Sequence, residues 1–404
     1  MKLRLPGTVW VLGVVSLLMD FSSELIHGLL PIYLTTTLGV SVAALGWIEG
    51  AAEATASTVK VFSGTLSDAL GKRKPLLLLG YGLAALTKPL FPLATGAGLV
   101  LTARLLDRVG KGIRGAPRDA LVADVTPADQ RGAAYGLRQA LDMAGSVIGP
   151  LAAMALLAGV FGVATDVRGA LWFAVFPAAA AWLLLLLLMR EPSAAGVAAD
   201  RHAPRWSDLR SFGRDFWAIV ILGAVFTLAR FSEAFLVLRV SAFDPSPLWG
   251  PAALMAMSVV YMLVAYPAGL LADRIDVRGL LGAGLTVLIG ADLVLATATS
   301  QWWALAGAAL WGLHMGLTQG VLAAMVAGTS PSHLRGSGFG LFNLISGVMM
   351  LVASVLAGAL WQHVNPAATF VAGGALCAIC LASLPWVRPL RPAGDDDAGR
   401  NLTA

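Results

Sequence analysis

Residues 104–124 read RLLDRVGKGIRGAPRDALVAD and lie in the fourth of a series of long apolar segments, where a membrane-spanning helix is expected. Five cations occur in this stretch, at positions 104, 108, 111, 114 and 118. At about 100° per residue they fall within an arc of roughly 120°, so a helix would present them as one cationic stripe. Because cations are costly in lipid, the stripe predicts a function for this helix inside the protein.

The composition excludes an ordinary soluble domain and indicates a polytopic membrane protein. Of the 404 residues, 58% are hydrophobic and 13% are charged, and the mean hydropathy is +0.78. Apolar runs recur along the whole chain, each long enough to cross a hydrocarbon core of about 30 Å. Twelve spans are predicted, at residues 8–35, 41–63, 75–95, 98–124, 131–160, 166–189, 214–241, 247–272, 277–298, 301–328, 335–361 and 365–386.

The basic residues predict the orientation of these spans. With both termini on one side, seventeen of the 28 Lys and Arg lie in segments on that side, and two, Arg168 and Arg239, lie on the other. The positive-inside rule then places both termini in the cytoplasm, in a multi-pass protein of a bacterial cytoplasmic (inner) membrane. Loops beside the anionic inner leaflet explain the formal charge of +5, so the lipid bilayer is an expected partner and nucleic acid is not.

The second half of the chain repeats features of the first. Gly64 and Asp68, at the end of span two, recur 205 positions later as Gly269 and Asp273, at the end of span eight. A repeat of this length in an all-helical membrane protein predicts two related bundles around one central site. The predicted parts are an N-terminal six-helix bundle (1–189), a cytoplasmic linker (190–213), a C-terminal six-helix bundle (214–388) and a cytoplasmic tail (389–404).

Ionisable side chains in spans one and two are candidates for proton or substrate coupling. Asp20, Glu24 and His27 share one face of span one, and span two adds Glu49 and Glu53 at i and i+4. Neighbouring carboxylates inside a membrane are typical of a proton-titrating or cation-binding site. The alternative is that they only neutralise the cations of span four. A dedicated metal site is not expected, because only one imidazole is at hand.

The stripe of span four divides by depth in the predicted membrane. The deep group is Arg104, Asp107, Arg108 and Lys111. It is the candidate substrate or coupling site, with Asp107 as the local counter-charge and the acids of spans one and two facing it. The shallow group is Arg114, Arg118 and Asp119. It approaches the cytoplasmic surface and is the candidate gate.

Two further charged pairs are predicted to take part. Arg138 and Asp142 stand at i and i+4 in span five and could be wholly structural. Arg230 and Glu233 in span seven occupy positions that correspond to Asp20 and its neighbours in span one, so that the acid of one repeat is a base in the other. This exchange predicts a charge pair across the central cavity.

Three motifs resemble signatures of the major facilitator superfamily. They are Gly64-x-Leu66-x-Asp68-x-x-Gly71-Lys72-Arg73-Lys74 after span two, Arg104-x-x-x-Arg108-x-Gly110 in span four and Gly145-x-x-x-Gly149-Pro150 in span five. The first departs from the family pattern at Ala69, where Arg is commonest, and the third resembles a signature of exporters. The chain also resembles a prokaryotic subgroup with a D-x-S-S-E element, here at 20–24, and a GKGIRxxPRDAL element, here at 110–121.

The resemblance implies a fold and a set of roles. The implied fold is an all-α membrane protein with twelve transmembrane helices in two six-helix bundles, related by a pseudo-two-fold axis. The implied gate consists of Gly64, Asp68, Gly71, Lys72 and Arg73, with Asp273 as the counterpart of Asp68 and with Arg114 or Arg118 as its partner. Gly145, Gly149 and Pro150 are expected to form a packing and flexing surface, since small residues four apart let helices approach closely.

The implied function is secondary active transport of a small molecule or ion by alternating access, as a monomeric exporter driven by protons. The alternatives are an uncoupled lipid or solute flippase or a membrane receptor on the same fold, and metal or metalloid efflux as another substrate class. The sequence contains no HExxH, GxSxG or P-loop motif, so neither an enzyme nor an ATP-driven pump is expected. No cofactor is expected.

Overall fold

The computed structural model describes residues 5–70, 72–127, 130–160, 166–189, 211–272, 276–331 and 334–386, and these residues form helices and turns without a strand. Each predicted span coincides with one helix or with two consecutive ones. In chain order the helices are Gly7–Ile32, Tyr33–Thr37, Val42–Leu70, Lys74–Thr87, Leu90–Leu93, Ala97–Val125, Arg131–Leu157, Val167–Phe173, Val175–Leu188, Arg214–Ala229, Ala234–Ser241, Trp249–Ala272, Val277–Thr297, Gln301–Thr329, Arg335–His363, Pro366–Ser383 and Leu384–Trp386. The prediction of twelve transmembrane spans in an all-α fold is confirmed.

Span four is the least apolar of the helices that carry the candidate site. Nine segments of the described chain are long and apolar enough to cross a membrane by themselves, and span four, Ala97–Val125, is not one of them because of its charged stripe. Spans two and three pack directly against it. Neighbouring helices therefore cover the stripe, and lipid does not have to solvate its cations.

Three predicted spans are interrupted, which the apolar pattern did not predict. Span three stops at Thr87 and resumes at Leu90, and span six is divided at Ala174. Pro89 lies within the first break and Pro177 follows the second by three residues, and each lacks the N–H that would continue the helical hydrogen bonds.

The predicted span at 214–241 is long and apolar enough to cross a membrane, and its helix is broken at 230–233 without a proline. The backbone of Arg230 leaves the helical region (φ −109°, ψ 104°), and the Ser232 hydroxyl accepts a hydrogen bond from the N–H of Ala234 at 3.3 Å. The Ser232 N–H in turn donates to the hydroxyl of Ser354 in span eleven at 3.2 Å. Side chains thus satisfy the freed backbone groups, as non-helical backbone at membrane depth requires.

The two six-helix bundles meet through symmetry-related helix pairs. Span two packs against span eleven and span five packs against span eight, and the repeat exchanges one pair with the other. We call the ends of the spans at residues 70, 125, 188 and 214 the linker side, and the other ends the far side.

Spans two and eleven touch backbone to backbone at the far side. A Cβ atom at Gly46 would collide with the carbonyl oxygen of Ser354, and one at Gly50 would lie 3.0 Å from the Cα atom of Leu351. A Cβ atom at Gly358 would lie 2.9 Å from the carbonyl oxygen of Val42. Such contacts between small residues let helices approach as closely as possible. The bundles are therefore closed against each other at the far side.

Candidate functional site

The deepest cation of the stripe, Arg104, forms a bidentate ion pair with an acid of span two. Arg104 donates from Nε to Oε1 of Glu49 at 3.0 Å and from Nη2 to Oε2 at 2.6 Å. Both side chains are only 1% exposed. A bidentate pair of this kind is among the strongest charge-assisted hydrogen bonds. Arg104 and Glu49 thus neutralise each other in the protein interior.

The second deep cation follows the same pattern with a looser geometry. Nη1 of Arg108 lies 3.4 Å from Oε1 of Glu53, whose side chain is 34% exposed. Nε of Arg108 is buried and has no hydrogen-bond partner among the described residues. The expectation that the deep cations face acids of span two therefore agrees with the geometry at both positions.

Asp107 forms its direct ion pair with a cation outside the stripe, which spacing did not predict, and it also lies near Arg108 and Arg114 of the stripe. Its Oδ1 accepts a hydrogen bond from Nζ of Lys88 in span three at 2.9 Å, and both side chains are buried. Nζ of Lys88 also donates to the hydroxyl of Ser23 at 3.0 Å. In the sequence, Lys88 stands out as a single lysine within an apolar span. Its partner could not be predicted from spacing, because Asp107 lies on another helix.

His27 lies among three carboxylates from three helices. Its Nδ1 is 3.5 Å from Glu24 and 4.0 Å from Glu233, and its Nε2 is 3.9 Å from Glu49. Glu233 belongs to the second half of the chain, so this cluster joins the two bundles. A second link comes from Ser232, whose hydroxyl donates to Glu49 at 3.4 Å.

Arg230 is not the residue that completes a charge pair across the centre, contrary to the expectation. It makes no ion pair with any described residue, and its guanidinium carbon lies 5.4 Å from the ring centroid of Phe226 in its own helix. Arg230 and Glu233 lie at the two ends of the break at 230–233, and Glu233 lies 4.0 Å from His27 of the first bundle.

A cavity of about 350 Å³ lies in the linker-side half of the molecule and is bordered by both bundles. Spans one, two, four and five supply most of its wall, and span eight supplies one tyrosine. The lining residues are Asp20, Glu24, Lys60, Lys111, Arg114, Gly115, Arg118, Asp119, Gln139, Asp142, Met143, Ser146 and Tyr261. Lys60 and Gln139 are exposed, so the cavity is accessible to solvent. Lys60, Gln139 and Tyr261 are lining residues that the sequence did not single out as candidates.

One wall of the cavity is a network of ion pairs. Arg138 approaches Asp142 at 3.0 Å and Asp119 at 3.3 Å. Arg118 lies 3.3 Å from Asp119 and 3.7 Å from Asp142, and it donates to the hydroxyl of Ser16 at 3.0 Å. Two cations and two acids from spans four and five thus compensate one another. The predicted pairing of Arg138 with Asp142 is present within this network.

Two cations of the stripe face the cavity without an acid partner. Lys111 is exposed there and makes no ion pair or side-chain hydrogen bond with another described residue. Arg114 is 5% exposed, its guanidinium carbon lies 4.9 Å from the ring centroid of Tyr81, and its Nη1 has no partner within the described chain. Lys111 and the shallow group therefore line the cavity, whereas Arg104 and Asp107 are closed off from it.

The glycines of span five bring that helix against span one. A Cβ atom at Gly145 would lie 2.5 Å from the carbonyl oxygen of Leu17 and 3.1 Å from Cβ of Asp20. One at Gly149 would lie 3.0 Å from Cβ of Glu24, and Pro150 follows it inside the same helix. This close contact places the carboxylates of span one at the cavity wall formed by span five.

The residues of the implied gate are described only in part. Arg73 pairs with Asp124 at 3.3 Å, Gly64 faces Ala116, and Lys72 is exposed. The side chain of Asp68, together with Gly71 and Asp273, lies outside the described residues. Arg114 and Arg118, the expected partners of Asp68, have the surroundings given above.

Two bundles that enclose a charged cavity, accessible from one side and closed at the other, are the architecture of a membrane transporter. The chain belongs to the Major Facilitator Superfamily, whose family model matches residues 12–249 and 249–401. It is therefore a multi-pass membrane protein of a transporter family.

Relatives and solved structures agree with this membership. An uncharacterised MFS-type transporter of Methanocaldococcus jannaschii is 29% identical over 400 residues, which cover 93% of this chain and 94% of the relative. The multidrug resistance protein MdtH of Photorhabdus laumondii is 29% identical over 167 residues, 40% of this chain and 41% of the relative. The nucleoside transporter NupG has the same fold, with a TM-score of 0.75 at 13% identity over 94% of this chain and 99% of that one.

Proposed function

We propose that this protein is a secondary active transporter that exports a small solute by alternating access, in exchange for protons. The observation that carries the proposal is the solvent-accessible charged cavity on the linker side, combined with backbone contact between the bundles at the far side. The partial similarity to a multidrug resistance protein supports export. The moving parts are the proposed bundles at 1–189 and 214–388.

The orientation of the cavity follows from the charge of the loops. Seventeen Lys and Arg lie in the linker-side segments and two lie on the far side, so the linker side is proposed to face the cytoplasm. The cavity then faces inwards, which is the state in which an exporter takes up its cargo. Both termini are cytoplasmic in this arrangement, and the membrane is proposed to be a bacterial inner membrane.

Proton coupling is assigned to Asp20 and to His27. Asp20 lines the cavity and makes no ion pair or hydrogen bond with another described residue. Imidazole is the side chain that ordinarily changes its charge near neutral pH. A protonated His27 would attract Glu233 of the other bundle, with Glu24, Glu49 and Arg104 as the other charged groups around it. A proton on His27 would therefore stabilise the contact between the bundles, and its loss would weaken that contact.

The first prediction concerns Asp20. In proteoliposomes, Asp20→Asn should abolish transport driven by a pH gradient and, at saturating substrate, leave the exchange of internal for external substrate, because exchange needs no net proton transfer. The substrate for this assay is the best stabiliser of the purified protein in a screen of drugs, organic ions and metal ions, since a specific binder raises apparent stability by mass action.

Asp276→Asn is the matched control, because Asp276 lies in a loop and its carboxylate pairs with Arg278. This variant should retain gradient-driven transport. If Asp20→Asn transports as fast as wild type under a pH gradient, the uncoupled flippase becomes the better explanation. A receptor would bind a ligand in the screen and show no flux in either assay.

A further inference from the structure

We infer that the cargo is a zwitterion, with its anionic group bound by Lys111 and Arg114 and its cationic group bound by Asp20. This inference rests on the proposed transport function and names the substrate class of the same cavity. It depends on which of the lining charges already have partners.

The deep cations are not available to an anionic cargo. Arg104 is saturated by the two oxygens of Glu49, and neither residue lines the cavity. Arg108 faces Glu53, and Asp107 is held by Lys88. A ligand would have to break these buried pairs to use them, and exposing one buried charge without its partner is costly.

The ion-pair network of Arg118, Arg138, Asp119 and Asp142 is likewise occupied. Two cations and two acids lie within 3.7 Å of one another there. Glu24 has His27 as its partner at 3.5 Å. The lining charges that remain are Lys60, Lys111, Arg114 and Asp20.

The remaining charges are of both signs and belong to different helices. Lys111 and Arg114 are on span four, and Asp20 is on span one, where span five packs against it. The guanidinium of Arg114 is fixed against Tyr81 and retains an unsatisfied Nη1, so it is oriented before a ligand arrives. A buried guanidinium that lacks an acceptor is suited to a carboxylate, phosphonate or sulfonate.

A zwitterion also accounts for proton exchange at Asp20. The ammonium group of the cargo and a proton would compete for the same carboxylate, so binding of the cargo would release a proton. A purely anionic cargo would have the opposite linkage, because a negative charge nearby favours the protonated carboxyl group. Competition at one site is what exchange of cargo for protons requires. The volume of about 350 Å³ is within the range of pockets for small molecules.

The test uses three probes with one ring and different charges: 4-(aminomethyl)benzoate, 4-methylbenzoate and 4-methylbenzylammonium. The thermal stability of the purified protein is measured against the concentration of each probe. The zwitterion should stabilise wild type at a lower concentration than either singly charged analogue. Asp20→Asn should weaken the apparent affinity for the zwitterion by about tenfold, the loss of one charge-assisted contact, and reduce it to that of the anion.

Further variants separate binding from a general loss of folding. Lys111→Gln and Arg114→Gln should reduce the affinity for the zwitterion to that of 4-methylbenzylammonium. Asp20→Glu, which retains the charge, should retain the preference, and Asp244→Asn on the far side should not affect it. Each variant is first compared with wild type without ligand, so that a folding defect is recognised.

The inference is overturned if the three probes stabilise wild type equally, if none does, or if the preference for the zwitterion survives Asp20→Asn. If the anion or the cation binds more tightly than the zwitterion and is also transported, the zwitterionic substrate class is wrong and the transport function stands. Conversely, if the zwitterion binds as expected but is not transported across the membrane of proteoliposomes, the proposed transport function is wrong.

Discussion

Glu49→Gln should lower the free energy of unfolding by about 3–5 kcal/mol, the usual cost of removing one partner from a buried ion pair. Arg104 would be left with its charge in a site that is 1% exposed. The Glu49 carboxylate also accepts a hydrogen bond from Ser232, so the substitution weakens the contact between the bundles as well. The measurement is reversible unfolding in mixed micelles, with helical circular dichroism as the signal.

Two further variants make this prediction specific. Glu53→Gln removes the acid of the neighbouring pair with Arg108 and should cost less, because that pair is longer, at 3.4 Å, and its carboxylate is 34% exposed and already partly solvated. The double variant Glu49→Gln/Arg104→Gln should recover part of the loss, since neither side chain then carries an uncompensated charge. If Glu49→Gln and Glu53→Gln lower the free energy of unfolding equally, burial of the Arg104 pair does not determine the loss of stability.

Gly46→Leu should arrest transport while the protein still inserts into the membrane. The new side chain would meet the backbone of span eleven at Ser354 and Gly358. Backbone cannot move aside as a flexible side chain can, so spans two and eleven must separate at the far side. The inward-facing state requires the contact between spans two and eleven at the far side. Without this contact the transport cycle cannot return to the inward-facing state.

The expected result is a fall of transport to background, together with faster labelling of a cysteine placed at Ser354, which is 0% exposed at this contact, in a background without Cys377 and Cys380. Gly136→Leu is the matched control, because a Cβ atom at Gly136 meets nothing within 4 Å. It should retain both transport and slow labelling of the cysteine at position 354. Slow labelling in Gly46→Leu would mean that the far side closes by some other contact.

The apolar pattern alone predicted the helices of this protein well. The twelve spans, the charged stripe of span four and the repeat between the halves could all be read from sequence, because segment length and helical period are local properties. The contacts of Glu49 and Glu53 with span four were also foreseeable, since both acids recur on one face of span two.

The partners of individual charges could not be derived in the same way. Spacing gives the face of a helix but not the neighbour that this face meets. Asp107 was expected to balance its own stripe, and its direct partner is Lys88, because span three packs on that side of span four. Arg230 failed as a partner because span seven breaks beside it, and no proline or glycine marks that break.

The ion pairs of the first half have a consequence for biogenesis. Arg104 with Glu49, Arg108 with Glu53, Lys88 with Asp107 and Arg138 with Asp142 all join residues within the first six spans. The ribosome makes this half first, and membrane-buried charges are tolerated best when they are paired. The N-terminal bundle can therefore neutralise most of its own polar core in the bilayer before the seventh span has left the ribosome.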